Sequence, residues 1–453
     1  MKKLIYFNIT LILFICTALL VQVSSASASD PDPDDIYWDV SVSTPENGLN
    51  GTVRALTVYD NKLIAGGYFE LAGSDTVNHV AAWDGSTWSA LGNGTTFRVE
   101  ALTVHSGKLI AGGSAYVLGD TVYNVAAWDG STWTLLGKGI NSEEPVLSAQ
   151  VNEFAVFQGN LFATAAFTIF EYADAGGAVF SWDGSTWNNL GLGPYSLPFA
   201  ATVYENNLIV AGYLFYETNW EYVFSSWNDT NWTTFEKLLY GGVSDLIVYD
   251  NKLIACGIFD WIGFEVVHAS SIASWDGVSW SALGTGLETS SVWAWGVALT
   301  NYDAKLIVVG DFDSAGTFPA IGIASWDGSS WSPLGSGIGL GVDRYAQALI
   351  EYENSLIVGG SFDTAGGKPC ANLARWTKIS CCIGKRGDVN YDGNNADILD
   401  LTFLVDFIFR GSGNSGPCDG ESDVNGDGNS ADILDLTYLV DVIFRGGPVP
   451  PGC

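Results

Sequence analysis

Basic residues are scarce. The chain of 453 residues holds 18 Lys and Arg against 50 Asp and Glu, a formal net charge of −32. No basic stripe is available to track a phosphate backbone, which argues against a nucleic-acid partner. An acidic surface of this kind suits an extracellular protein or one that binds cations. Histidine occurs only as His79, His105 and His268. No His/Cys cluster with the spacing of a metal site appears, and no Gly-x-Ser-x-Gly elbow with triad partners. Methionine occurs once, whereas glycine occurs 54 times. Long helical heptads are absent. Up to about residue 378 the chain reads as short strands and turns.

The first 28 residues read as a secretory signal. Lys2 and Lys3 precede an apolar run, and Ala26-Ser27-Ala28 fits a signal-peptidase site. Leu4–Val23 is nearly long enough to span a bilayer, but the Ala-x-Ala site and the acidic linker after it favour cleavage. The expected product is secreted or held at the cell surface, with no membrane span after cleavage.

The hexapeptide WDGSTW occurs at Trp83–Trp88, Trp128–Trp133 and Trp182–Trp187, with variants farther on. The first Trp of each pair falls at 83, 128, 182, 227, 275, 326 and 376, a period of 45 to 54 residues. A second motif, VYDNKLIAGG at Val58, recurs upstream of each Trp in seven copies. A period of this size belongs to β-propeller blades. The first copy decodes as strand A (Arg54–Tyr59), a turn at Asp60-Asn61, strand B (KLIAGGYF), a loop, strand C (VAAWD), a hairpin at Asp84-Gly85 and strand D (TWSALG). The hexapeptide is thus the C–D hairpin, and its two indoles fill the gap between blades.

Trp376 lacks a following Trp strand, while Trp38 has no strand C before it. Trp38 is therefore expected to supply strand D of the last blade and close the ring. The expected fold is mainly β: a seven-bladed β-propeller over residues 29–378, its last blade closed by the N-terminal strand. It resembles the secreted bacterial propellers of the kelch and galactose-oxidase kind. The full kelch motif is absent, so no chemistry carries over from that resemblance.

The A–B and C–D hairpins share one face and are nearly uniform. The B–C and D–A connections share the other and vary, so function is expected there. Of 18 tryptophans, four are not explained by blades: Trp220, Trp261, Trp293 and Trp295. They lie near Tyr222, Glu217, Glu221 and Asp260 in the variable segments of blades four to six. Two readings remain open: a stacking surface for a glycan, or aromatic plugs of larger loops. Glycosidase chemistry needs only two carboxylates about 5–10 Å apart, and Glu217, Glu221 and Asp260 are the acids to inspect.

Composition changes near Cys381, and residues 379–453 read as a small second domain. GDVNYDGNNADILDLTFLVDFIFRG begins at Gly387, and a near copy begins at Ser422. Each opens with Asp-x-Asn-x-Asp-Gly, the start of an EF-hand-like calcium loop. A hard divalent cation takes several oxygen ligands, which alternate loop residues deliver inward. One calcium ion per loop is expected, two in all. The ligands are Asp388, Asn390, Asp392, Asn394, Asp397 and Asp400 in the first loop. Those of the second are Asp423, Asn425, Asp427, Asn429, Asp432 and Asp435. A helix with one apolar face follows each loop (Leu401, Leu404, Val405, Ile408; Leu436, Leu439, Val440, Ile443). This duplicated loop-helix resembles a dockerin type I module, which implies docking to a cohesin-type partner. It departs from that family in a loop one residue longer and in the apolar pairs Ile398-Leu399 and Ile433-Leu434. Cys381 and Cys382 are expected to pair with Cys418 and Cys453, in either arrangement. Cys256 and Cys370 are expected to stay separate.

Two functions follow from these residues. One is a secreted binding or scaffolding protein, its propeller displaying a ligand face that takes a glycan, with a calcium-dependent docking tail. The alternative is a secreted glycoside hydrolase carried by the same tail and acting in polysaccharide breakdown.

Overall fold

A computed structural model describes residues 32–377, apart from segments 117–122, 142–145, 170–174, 192–195, 217–218, 239–240, 264–266, 291–292 and 340–344. In the C-terminal part it describes residues 387, 389, 396–410, 424–425, 433–448 and 450. No helix among the described residues is long and apolar enough to cross a membrane.

The described chain is mainly β and forms a β-propeller. Each repeat folds as a four-stranded antiparallel sheet in the order A-B-C-D. In the first repeat these strands are Val53–Tyr59, Lys62–Gly67, Val80–Trp83 and Trp88–Ala90. The second and third repeats share one larger sheet, because the long strand Lys108–Tyr116 also pairs with Val146–Phe157. Strands A lie innermost, each packed on the next, and Ala346–Tyr352 packs back onto Val53–Tyr59.

The recurrent motifs act as latches between neighbours. Asp60 and Asn61 both have positive φ, 51° and 58°, the geometry of a two-residue hairpin turn. The Tyr before such a turn reaches the next repeat. Tyr249 Oη donates to Ala304 O at 3.2 Å, Tyr302 Oη to Asn354 O at 3.2 Å, and Tyr352 Oη to Asn61 O at 3.1 Å. The last of these crosses the closure.

In the C–D hairpin, Asp84 Oδ1 accepts the N–H groups of Ser86 and Thr87, each at 2.9 Å. These bonds, led by that from Thr87, hold the Asp84 carboxyl down at about 2. The strand D indole then ties its sheet to the preceding one. Trp133 Nε1 donates to Leu91 O, Trp187 to Leu136 O, Trp232 to Leu190 O and Trp331 to Leu283 O. Trp280 is the exception: its buried Nε1 has no partner among the described residues. The preceding sheet there continues straight on as Trp232–Leu238. It lacks the Leu-Gly turn whose leucine carbonyl receives the indoles of Trp133, Trp187, Trp232 and Trp331.

The closure follows the sequence expectation. Trp38 pairs with Trp376 and Asp39 with Arg375. Trp38 Nε1 donates to Leu334 O at 3.1 Å, and Trp88 Nε1 to Val42 O at 2.8 Å. The N-terminal segment thus receives and donates the same latch as an ordinary strand D. Cys256 and Cys370 are buried and unpaired. Cys381, Cys382, Cys418 and Cys453 lie outside the described residues.

In the C-terminal part, α1 (Ile398–Arg410) and α2 (Ile433–Arg445) pack together. Their shared core is duplicated like the sequence: Val389 and Leu404 from one copy, Val424 and Leu439 from the other.

Candidate functional site

Every strand A carries a β-bulge, one to three residues after it begins to pair with strand B in six repeats and six residues after in the longer third one. The extra residues are Arg54, Glu100, Asn152, Phe199, Ser244, Val297 and Gln347. A bulge re-aims the side chain of its extra residue. All seven line one cavity of about 850 Å³ on the axis of the inner strands. They sit toward the N-terminal ends of strands A, the ends at which the variable D–A connections enter.

Strand B explains the bulge. Val53 pairs with Gly67 and Ala55 with Gly66, so Arg54 stands opposite the glycine pair. A Cβ on Gly67 would lie 2.1 Å from Thr52 O, and one on Gly113 1.8 Å from Arg98 O. Where glycine stands, no other residue admits this approach; in the third repeat Ala165 and Thr164 oppose the bulge instead. In the first, second and seventh repeats the Gly-Gly of the recurrent motif is the sequence signal for the channel-lining position.

The cavity wall is divided. On one side a chain of side-chain bonds crosses several repeats. Arg54 Nη1 donates to Gln347 Oε1 at 2.8 Å and Arg54 Nε to Glu100 Oε2 at 2.9 Å. Ser114 Oγ bridges Glu100 Oε1 at 3.1 Å and Gln150 Oε1 at 2.9 Å. Gln150 Nε2 donates to Asn152 Oδ1 at 3.0 Å, and Asn152 Nδ2 to Pro198 O at 2.8 Å. Tyr68 donates its hydroxyl to Glu100. Burial, with that bond second, raises the Tyr68 phenol to about 12. On the other side stand Phe199, Tyr222, Val297 and Trp295. Trp295 Nε1 donates to Ser244 Oγ at 2.6 Å, and its ring lies 5.3 Å from that of Tyr345.

Two further carboxylates line the cavity, Glu153 and Asp245. Glu153 Oε2 accepts the Ala201 N–H at 2.8 Å. Asp245 accepts the N–H groups of Leu246 and Leu299, each at 2.7 Å. Burial raises the Glu153 carboxyl well above the usual range, and the Asp245 charge raises it further. Burial pushes Asp245 up to about 7 against the pull of its two N–H donors.

The four extra tryptophans are divided by the structure. Trp295 is part of the channel wall. Trp261 stands 47% exposed in a small B–C hairpin, paired edge-on with His268 at 4.9 Å. Trp293 is 56% exposed in the connection leading to the strand of Trp295. Trp220 pairs through its backbone with Phe215, and its side chain lies outside the described residues, as do those of Glu217 and Glu221. Asp260 is exposed on the strand side of the Trp261 hairpin. Among the described residues, the acids that share a cavity are Glu100, Glu153 and Asp245.

Of the expected calcium ligands, Asp397, Asp400, Asn425 and Asp435 are described. Asp397 Oδ1 caps α1 by accepting the Leu399 N–H at 2.7 Å. Asp400 and Asp435 are 0% exposed. Asp400 Oδ2 accepts the Asp397 N–H at 2.8 Å, and Asp435 Oδ1 the Asn425 N–H at 3.1 Å. Asp388, Asn390, Asp392, Asn394, Asp423, Asp427, Asn429 and Asp432 lie outside the described residues.

No protein-family model matches the sequence, and no curated protein matches it. Solved structures do match. One is the extracellular domain of a one-component system from B. thetaiotaomicron, at 8% identity and a TM-score of 0.45, covering 79% of this chain and 42% of that one. A second is the WD40 repeats of RRP9, at 11% identity and a TM-score of 0.44, covering 74% of this chain and 99% of that one. A third is YCF48 from Cyanidioschyzon merolae, at 11% identity and a TM-score of 0.43, covering 75% and 98%.

Proposed function

We propose that this is a secreted ligand-binding protein: a seven-bladed propeller that holds a glycan at the mouth of its axial channel. The carrying observation is that all seven bulged side chains line one cavity. A rigid ring with a concave, mixed polar and aromatic mouth is the usual form of a small-molecule site. The two halves of the wall suit a sugar, which presents hydroxyl edges to polar groups and flat C–H faces to aromatic rings. Trp293, two residues before Trp295 in the chain, and Trp261 are exposed aromatic residues that a longer ligand could also reach.

The tail is proposed to be a dockerin-like module that binds two calcium ions and docks to a cohesin-type partner. Asp400 and Asp435 support the calcium reading, because each is a fully buried carboxylate at a position that the repeated loop pattern assigns to the ligand set. Asp397, Asp400, Asn425 and Asp435 would contribute oxygen ligands. A bound cation would supply the charge that draws each loop onto its helix.

One observation favours the second reading, a glycoside hydrolase: Glu153 and Asp245 share the channel, and the raised Glu153 is the state a general acid needs. A glycan-array screen of residues 29–453, followed by hydrolysis assays on each hit, tests both. Binding without turnover supports the binding protein. Turnover that disappears in Glu153→Gln supports the enzyme. No hit among neutral or charged glycans removes the glycan from either reading.

A further inference from the structure

Immediately after its bulge, strand A carries alanine in five repeats: Ala55, Ala101, Ala200, Ala298 and Ala348. The third and fifth repeats carry Glu153 and Asp245 there instead. A methyl group evidently satisfies the packing of one inner strand on the next. Two carboxylates therefore stand where a methyl group suffices in the other repeats; each accepts an N–H of the next inner strand, and both line the axial cavity.

Their surroundings lack a matching charge. Arg54 is the one cation among the described residues that line the cavity, and it is already held by Glu100 and Gln347. Among the described residues, Glu153 and Asp245 are met by backbone N–H groups alone. Beside Glu153 a further acceptor is left over. Its cross-strand partner Thr164 is 1% exposed, and its Oγ1 has no hydrogen-bond partner. Directly opposed residues share a sheet face, so this hydroxyl lies on the face that carries the Glu153 carboxylate. Phe199, Tyr222 and Trp295 complete the wall.

We propose that Glu153 and Asp245 seat the ammonium group of an amine-bearing ligand in the channel; given the glycan reading, on which this rests, the ligand class is an amino sugar. A primary ammonium has three N–H donors and no acceptor. It is satisfied by carboxylate and hydroxyl oxygens, and aromatic faces attract it as well. A bare calcium ion would instead take six to eight oxygens and gain nothing from the aromatic wall.

Calorimetry on residues 29–453 tests this with three probes: a glucosamine tetramer, its N-acetylated counterpart and phenethylamine. The comparison protein is Glu153→Ala/Asp245→Ala, alanine being what five repeats already carry. If the double variant does not fold, Glu153→Gln and Asp245→Asn serve singly. The glucosamine tetramer should bind at least tenfold tighter than the acetylated one. The double variant should lose that difference. Equal affinity for the two tetramers, or a difference that survives the double variant, overturns the ammonium seat and leaves the glycan site standing. Phenethylamine that binds only the unaltered protein, with neither tetramer binding, supports the seat and removes the glycan. Binding of none of the three removes both.

Discussion

Trp38 stands directly across the ladder from Trp376, with ring centroids 5.1 Å apart. The pair joins the start of the described chain to the end of its last repeat. Trp38 is among the largest fully buried side chains. Trp38→Ala should therefore cost about 3–5 kcal/mol, the usual range for emptying an indole site. Removing residues 29–45 should do more, by exposing the edge of the strand that carries Trp376. Denaturant unfolding of the propeller checks both. Midpoints equal to that of the intact chain would mean that the N-terminal strand does not close the ring.

The latches make a finer prediction. Trp331 Nε1 donates to Leu283 O, whereas Trp280 Nε1 donates to nothing among the described residues. Trp331→Phe removes a buried bond and strands a carbonyl; Trp280→Phe removes an orphaned donor. The first should cost about 1 kcal/mol more than the second. Equal losses would show that the indole bond does not hold neighbouring sheets together.

These two cases mark what the sequence made legible. The repeat, the two-residue turns and the closing strand follow from tryptophan spacing and from Asp-Asn pairs, which are local. The exception at Trp280 depends on how the preceding sheet continues, and no pattern around Trp280 announces it. The channel wall was legible only in part. Tyr222 and Trp295 stood out as aromatic residues not needed by the repeat. Arg54, Asn152 and Gln347 did not, because in a regular strand A alternation alone does not say which residue faces the axis. The bulge decides it, and the sign of the bulge lies on the neighbouring strand, in Gly66-Gly67. Glu153 and Asp245 look like ordinary polar positions until seven copies are aligned on that bulge.

Glu153 and Asp245 also set a pH dependence. Both carboxyls are raised in the folded protein, Asp245 to about 7. The folded state thus holds protons that the unfolded chain has released above about pH 4. The Asp245 contribution to stability is full below that pH and is lost as pH rises through about 7, and that of Glu153 falls in the same direction. The stability of the protein relative to Glu153→Ala/Asp245→Ala should therefore fall between pH 5 and pH 8. Urea midpoints of the two proteins at both pH values measure this. A difference that stays constant or grows with pH would contradict the buried, raised pair.

In the tail, calcium is expected to be coupled to folding. The ligand carboxylates repel one another without a cation, and a unit of this size builds little core of its own. Chelation should loosen α1 and α2 while the β signal of the propeller persists. Asp400→Ala and Asp435→Ala should each remove one of two calcium ions. Helical hydrogen-exchange protection that is the same with calcium and with chelator would remove calcium from the account of this segment.

The account stands or falls on the channel as the ligand seat. Titration calorimetry with the strongest array ligand should compare two double variants of residues 29–453. One, Asn152→Ala/Gln347→Ala, alters the channel wall; the other, Trp261→Ala/Trp293→Ala, alters the exposed rim. The channel variant should lose at least tenfold in affinity, and the rim variant should lose less. Undiminished binding by the channel variant, with binding abolished in the rim variant, would place the site outside the channel and contradict the account.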